Sequence, residues 1–189
     1  AMAQKIFYFH VGAAWTAFLA FLTAAGFGLA HLISDTGGSD SRLAFRAAAC
    51  FAAIEVGFVF CSIVLVTGPI WARPVWGVWW RWEPRLTTFL ILWATYASAL
   101  VARMSIDRPP VRNRVISVFA IIAAIQIPIV YASVYFWKPE HQFHPPTIGL
   151  APEFLKPLWQ ATGAMMLLSV LLWSLRSRIC VLEERKFAH

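Results

Sequence analysis

Charge is scarce in this sequence. Only 13% of its 189 residues are Asp, Glu, Lys or Arg, nine of them acidic, while 60% are hydrophobic. Soluble domains run nearer a quarter charged and half apolar, so the composition is that of a membrane protein. Cysteine is almost missing as well. Cys50, Cys61 and Cys180 form no CxxC, and the first two fall inside apolar runs, which argues against a disulfide framework or a zinc site. Alternating segments of about ten residues, the mark of a transmembrane barrel, are absent, and so are internal repeats and low-complexity tracts. The N-terminal AMAQKIFYFHVG lacks the ordered charged, apolar and cleavable regions of a signal peptide.

What remains is apolar sequence in long runs. Five stand out, over about 11–33, 43–67, 86–104, 115–137 and 158–175. Each is close to the roughly 20 residues that cross a bilayer and is apolar all round. The expected fold is therefore all-α, a polytopic transmembrane bundle of five spans forming one membrane domain over 1–189. Two longer connections separate the spans, a tryptophan loop at 68–85 and a histidine loop at 138–157. The first follows Gly68-Pro69, where the second run is expected to stop. The second holds five prolines, which disfavour a regular helix. Pro128 is expected to kink the fourth helix, with Gln126 bonding across helices.

The net charge of +7 would suggest nucleic acid in a soluble protein. In a membrane protein it reads as basic loops on the cytoplasmic side, and no nucleic-acid partner is expected. Arg42, Arg46, Arg103, Arg108, Arg112, Arg114, Arg176, Arg178, Arg185 and Lys186 fall on one side. Lys5, Arg73, Arg81, Arg85, Lys138 and Lys156 fall on the other. The richer side is assigned to the cytoplasm. The tryptophan loop, the histidine loop and His10 then share the outer face.

That face carries WGVWWRWEPRLT, residues 76–87, with four tryptophans in seven positions; five of the chain's ten lie between Trp71 and Trp82. Tryptophan favours membrane interfaces, but such a belt accounts for one or two per helix end. Trp76, Trp79, Trp80 and Trp82 on one loop fit a platform for a large planar apolar ligand, with Arg73, Arg81 and Arg85 placed to grip acidic groups at its edge. Headgroup contact by each arginine is the plainer alternative. Glu83-Pro84 reads as a helix start, proline at the first position and a carboxylate at the positive end of the dipole. His10 and His141 each lie beside an apolar segment on the same face, with His144 as the rival of His141; neutral imidazole is a good axial ligand for haem iron. His31 and His189 lie away from this face. Glu55, alone in FAAIEVGFVF, is costly in a membrane and so is a candidate for function or for hydrogen-bonded packing.

These residues resemble the haem-handling proteins of cytochrome c maturation that carry a tryptophan-rich WWD signature, and most of all the haem exporter protein C family, CcmC. Residues 76–87 are similar to its WGxWWxWDxRLT pattern. IFYFHVGAAW is similar to its IxYxHVPAA segment, and PIVYASVYFWKPEHQ to the segment bearing a second histidine. The resemblance implies that His10 and His141 are axial ligands of haem b, iron protoporphyrin IX, so His141 is preferred over His144. It implies a cofactor site of His10, His141, Trp76, Trp79, Trp80, Arg81, Trp82, Glu83 and Arg85. It also implies a bacterial inner-membrane protein that presents haem at the periplasmic side to a haem chaperone, beside ABC transporter subunits and a small membrane subunit. That is transfer rather than catalysis; the alternatives are a haem lyase for apocytochrome c and a haem-bearing subunit of a larger complex. Three features depart from the family pattern: Glu83 where it usually has Asp, Gly12 where it usually has Pro, and five helices where it usually has six.

Overall fold

The computed structural model describes residues 2–34, 41–136, 142–144 and 149–186. These form five helices, α1 Met2–Ser34, α2 Ser41–Trp76, α3 Pro84–Ser105, α4 Pro109–Phe136 and α5 Pro152–Lys186. All five are long and apolar enough to cross a membrane, and no strand occurs among the described residues. The polytopic all-α reading is therefore correct.

The helices are longer than the apolar runs. At 1.5 Å per residue the 36 residues of α2 extend ~54 Å, beyond a hydrocarbon core of ~30 Å. Hydropathy marks only the part of a helix that meets lipid. Thus α1 begins at Met2, and His10 stands on the helix rather than on a flanking loop. The second run likewise continues through Gly68-Pro69 and Pro74 to Trp76. The stop is Gly77, at φ 78°. Its N–H bonds the Arg73 carbonyl at 3.0 Å, a left-handed cap that glycine adopts without steric cost. The chain between α2 and α3 is thus only residues 77–83. Glu83 occupies the N-cap of α3 with Pro84 first in the helix, as the sequence suggested, but its carboxylate makes no capping bond.

The core forms where α1 meets α2. Ala13, Ala17, Phe21 and Ala24 of α1 are fully buried, a stripe of mostly small residues that lets backbones approach. Facing it, α2 buries Ala47 to Ile54 without a break. At Gly57 a Cβ would stand 2.5 Å from the Phe21 ring. That ring cannot retreat, because it stacks on Tyr96 of α3 with centroids 3.6 Å apart. Gly57→Ala is therefore expected to cost ~1–3 kcal/mol by overpacking despite alanine's better helix propensity. Thermal unfolding in detergent measures this, and an unchanged midpoint would show that the stack yields.

Polar side chains join the remaining helices. Trp93 of α3 donates to Ser62 of α2, and Trp173 of α5 to the Ala49 carbonyl, both at 2.9 Å. Gln126 of α4 donates to Thr95 of α3 at 3.0 Å, the crossing bond expected of it. Pro128 lies inside α4, which continues on both sides. Glu55 of α2 is paired with Arg176 of α5. Helix alternation brings the starts of α1, α3 and α5 and the ends of α2 and α4 to one end of the bundle, where the site lies.

Candidate functional site

At that end an opening of about 350 Å³ is lined by His10, Gly68, Pro69, Trp71, Ala72, Trp76, Val78, Trp79, Trp80, Arg81, Leu86 and His144. Only His10, Arg81 and His144 on the lining carry formal or potential charge, so the walls are largely apolar and aromatic.

The aromatic rings are not one flat sheet. Trp76 meets Trp71 edge to face, with centroids 5.0 Å apart and planes at 85°. It also meets Phe143 at 5.2 Å and the edge of His144 at 4.9 Å. Trp80 and Trp82 cross at 78°. Trp76 and Trp80 are partly buried against the opening, whereas Trp79 and Trp82 are 58% and 75% exposed. The Trp80 indole nitrogen is buried with no hydrogen-bond partner among the described residues. Indole N–H groups are normally satisfied when buried, so it offers an unused donor beside the opening.

Of the residues singled out from sequence, His10, Trp76, Trp79, Trp80 and Arg81 come together on this lining. Trp82, Glu83 and Arg85 stand off it. The Arg85 guanidinium lies 5.9 Å from the Tyr131 ring centre on α4, because position 85 opens the first turn of α3 while Arg81 is still on the loop. Arg81 sits 4.2 Å over the Phe143 ring. His141 lies outside the described residues. Its neighbour Gln142 donates to the Val134 carbonyl at 3.2 Å. Trp71, Gly68 and His144 join the lining in addition. Trp71 could be found from its place in the tryptophan cluster, and Gly68 only from the contact between α1 and α2.

Glu83 is the hinge between the two loops. Its carboxylate accepts the Phe143 backbone N–H at 2.8 Å and is bonded to Nδ1 of His144. The residue is only 3% exposed. Burial alone would raise the carboxyl pKa. The hydrogen bond and charge of His144, with the N–H groups of Phe143 and His144, outweigh it and hold the group below the usual carboxylate range. A depressed carboxyl stabilises the fold above its unfolded value, about 4.3, and this is lost as pH falls through the folded value. Acidification below about pH 4 is therefore expected to release residues 142–144, while between pH 5 and 8 the stabilisation from Glu83 is fully present and does not vary with pH. Hydrogen exchange of the Phe143 amide tests this. It should quicken at acid pH beyond the intrinsic trend in the native chain, and be fast throughout in Glu83→Gln. Slow exchange in that variant at neutral pH would mean the carboxylate does not hold the loop.

Fold and site together define a multi-pass membrane protein whose one end opens into an aromatic cleft edged by imidazole and guanidinium. The chain belongs to the heme exporter protein C family, CcmC, which matches it over residues 1–189. This is a family that handles haem in cytochrome c maturation. The chain is 31% identical to heme exporter protein C of Bradyrhizobium diazoefficiens, an alignment covering 96% of this chain and 68% of that protein. It is 31% identical to the Escherichia coli protein of the same name, over 97% of this chain and 74% of the relative. The Paracoccus denitrificans protein, again heme exporter protein C, is 31% identical over 96% and 74%.

Proposed function

We propose that this chain holds haem b at the outer face of the bacterial cytoplasmic membrane and passes it to a periplasmic haem chaperone. The observation that carries the reading is that His10 and the tryptophan loop line one opening, although Trp76 lies 66 positions further along the chain. The end that bears them has the fewer basic side chains, which supports an outward orientation.

The residues fit an iron porphyrin. Haem iron takes neutral imidazoles as axial ligands, and His10 presents one, with His141 as its partner ligand. Trp76 and Trp80 offer apolar faces to a macrocycle and keep water from it. Arg81, at the rim, suits paired hydrogen bonds to carboxylates at the ligand's edge. Trp79 and Trp82, turned outward, supply an apolar surface on which a partner can dock to receive the ligand. Glu83 ties the histidine loop to the tryptophan loop. Trp82, Glu83 and Arg85 thus serve the site from outside the cleft. ABC transporter subunits and a small membrane subunit complete the proposed assembly.

The test is transfer. Haem-loaded protein in detergent, mixed with haem-free chaperone, should lose its haem bands while the chaperone gains covalently bound haem. Retention of haem by this chain under those conditions, with stable co-purification of respiratory subunits, would favour a resident electron-transfer role.

A further inference from the structure

His10 does not simply protrude into the cleft; α2 holds it by one edge. Its Nδ1 lies 3.1 Å from the hydroxyl oxygen of Thr67. That hydroxyl has a single hydrogen, which it donates to the Ile63 carbonyl one turn back at 2.7 Å. Towards His10 it can therefore only accept. The Val64 carbonyl, 3.5 Å from the same hydroxyl, is a further acceptor beside the ring. Nδ1 must then carry the proton, and a neutral imidazole has just one. Nε2 is left with its lone pair.

The next residue completes the cradle. A Cβ at Gly68 would stand 3.2 Å from Cε1 of His10 and 3.7 Å from Nδ1. The first distance is tighter than carbon atoms ordinarily accept, so a side chain there would displace the ring from its seat on α2 by a few tenths of an ångström. Glycine at 68 lets the imidazole lie against the helix while Thr67 bonds its edge. Nothing in the sequence marks Thr67 for this: it reads as one more residue at the end of an apolar run.

We infer that Thr67 and Gly68 are positioning residues for the haem ligand. Thr67 fixes the tautomer in which Nε2 of His10 is the ligating atom, and Gly68 sets the plane of the ring. The inference rests on the reading of His10 as an axial ligand. Its chemistry is that of outer-shell partners generally. A hydrogen bond from the far ring nitrogen makes the imidazole a stronger donor and fixes its direction, and loss of such a partner commonly costs 10–100-fold in metal affinity. A more electron-rich imidazole also favours ferric over ferrous iron, so loss of the bond should raise the reduction potential.

The test uses the full chain in detergent, with Thr67→Val, Thr67→Ser and Gly68→Ala beside the native protein. Nitrogen-15 NMR of histidine-labelled, haem-free protein reads the tautomer directly, the His10 signals being those lost in His10→Ala. The native chain is expected to show a single Nδ1–H form. Thr67→Val, which keeps the shape and removes the acceptor, should show mixed tautomers, bind ferric protoporphyrin about 10–100-fold more weakly and raise its reduction potential. Thr67→Ser should restore all three. Gly68→Ala should weaken binding with helix content unchanged by circular dichroism. A single Nδ1–H form and native affinity in Thr67→Val would overturn the inference. Unchanged haem binding in His10→Ala would instead overturn the ligand role of His10, while the NMR arm still decides what Thr67 does to the ring.

Discussion

Replacing His10 by Ala is expected to lower haem affinity by at least about 100-fold. The bound follows from comparison: removing a partner that merely orients a ligating histidine costs 10–100-fold, so removing the ligand itself costs more. Apolar contacts to Trp76 and Trp80 would persist, and the variant should retain weak, non-coordinated porphyrin whose absorbance lacks the bis-imidazole pattern. His141→Ala is expected to lose as much, and the double variant little more than either single, because two axial bonds to one iron act as a unit and single losses do not add. Haem content of purified protein, with ferric and ferrous absorbance, measures all three. His10 is only partly buried on α1, so the bundle should stay folded, and circular dichroism separates loss of ligand from loss of fold. Full haem content with a bis-imidazole spectrum in both single variants would remove these histidines from the site. His144, which already lines the cleft, would then be the residue to replace.

The fold was legible in sequence to the extent that lipid dictates it. Five apolar stretches can do little but cross a membrane as helices, since an unpaired backbone in hydrocarbon is too costly. What lipid does not touch was harder to read. Gly68-Pro69 looked like a stop, but glycine and proline end a helix only where nothing else holds the backbone. Here Phe7 of α1 packs on Trp71, and Trp71 on Trp76, and the helix runs on to the glycine at positive φ. Nor could composition tell Gly68 from Gly77: one is needed for the room beside it, the other for its own conformation.

The site was legible in its residue types but not in its wiring. A tryptophan cluster, arginines and histidines assigned to one face are what the proposal of a planar acidic ligand with a metal rests on. That Arg81 lines the cleft while Arg85 turns to Tyr131 depends on where the loop ends and α3 begins. Glu83 stands where the family pattern usually has Asp. Its carboxylate reaches Phe143, 60 positions on, and His144 beside it. A carboxylate one methylene shorter would draw back by on the order of a C–C bond, ~1.5 Å, too far to keep both bonds without moving the backbone. The longer side chain therefore goes with the latch between the loops, a partnership visible only once the helices are packed.

Glu55 presents the opposite case, a residue conspicuous in sequence whose partner was hidden. It is a lone acid in an apolar run, and it forms a two-pronged pair with Arg176 of α5. Nε to Oε2 is 2.6 Å and Nη2 to Oε1 is 3.1 Å. Arg176 also reaches Glu183 at 3.0 Å. This asymmetry makes an ordered prediction. Arg176→Met strands Glu55 with no counter-charge; the pair is part-buried, its side chains 30% and 29% exposed, so the cost should fall below the ~3–5 kcal/mol of a fully buried pair and above the ~1 kcal/mol of a surface one. Glu55→Leu leaves Arg176 its bond to Glu183, so the cost should be smaller, about 1–3 kcal/mol. The double variant should return close to native stability, because replacing both charges by apolar groups is often neutral or better. Glu183, whose side chain is 47% exposed near the end of α5, loses a surface pairing worth at most about 1 kcal/mol. Unfolding of the four proteins in detergent gives the cycle. If the double variant is as unstable as Arg176→Met, the pair is not what Glu55 is for. If it is stable but fails to transfer haem that it still binds, the acid acts in transfer. Native stability together with native transfer would make Glu55 a strut between α2 and α5, which is what its two-pronged pair with Arg176 supports.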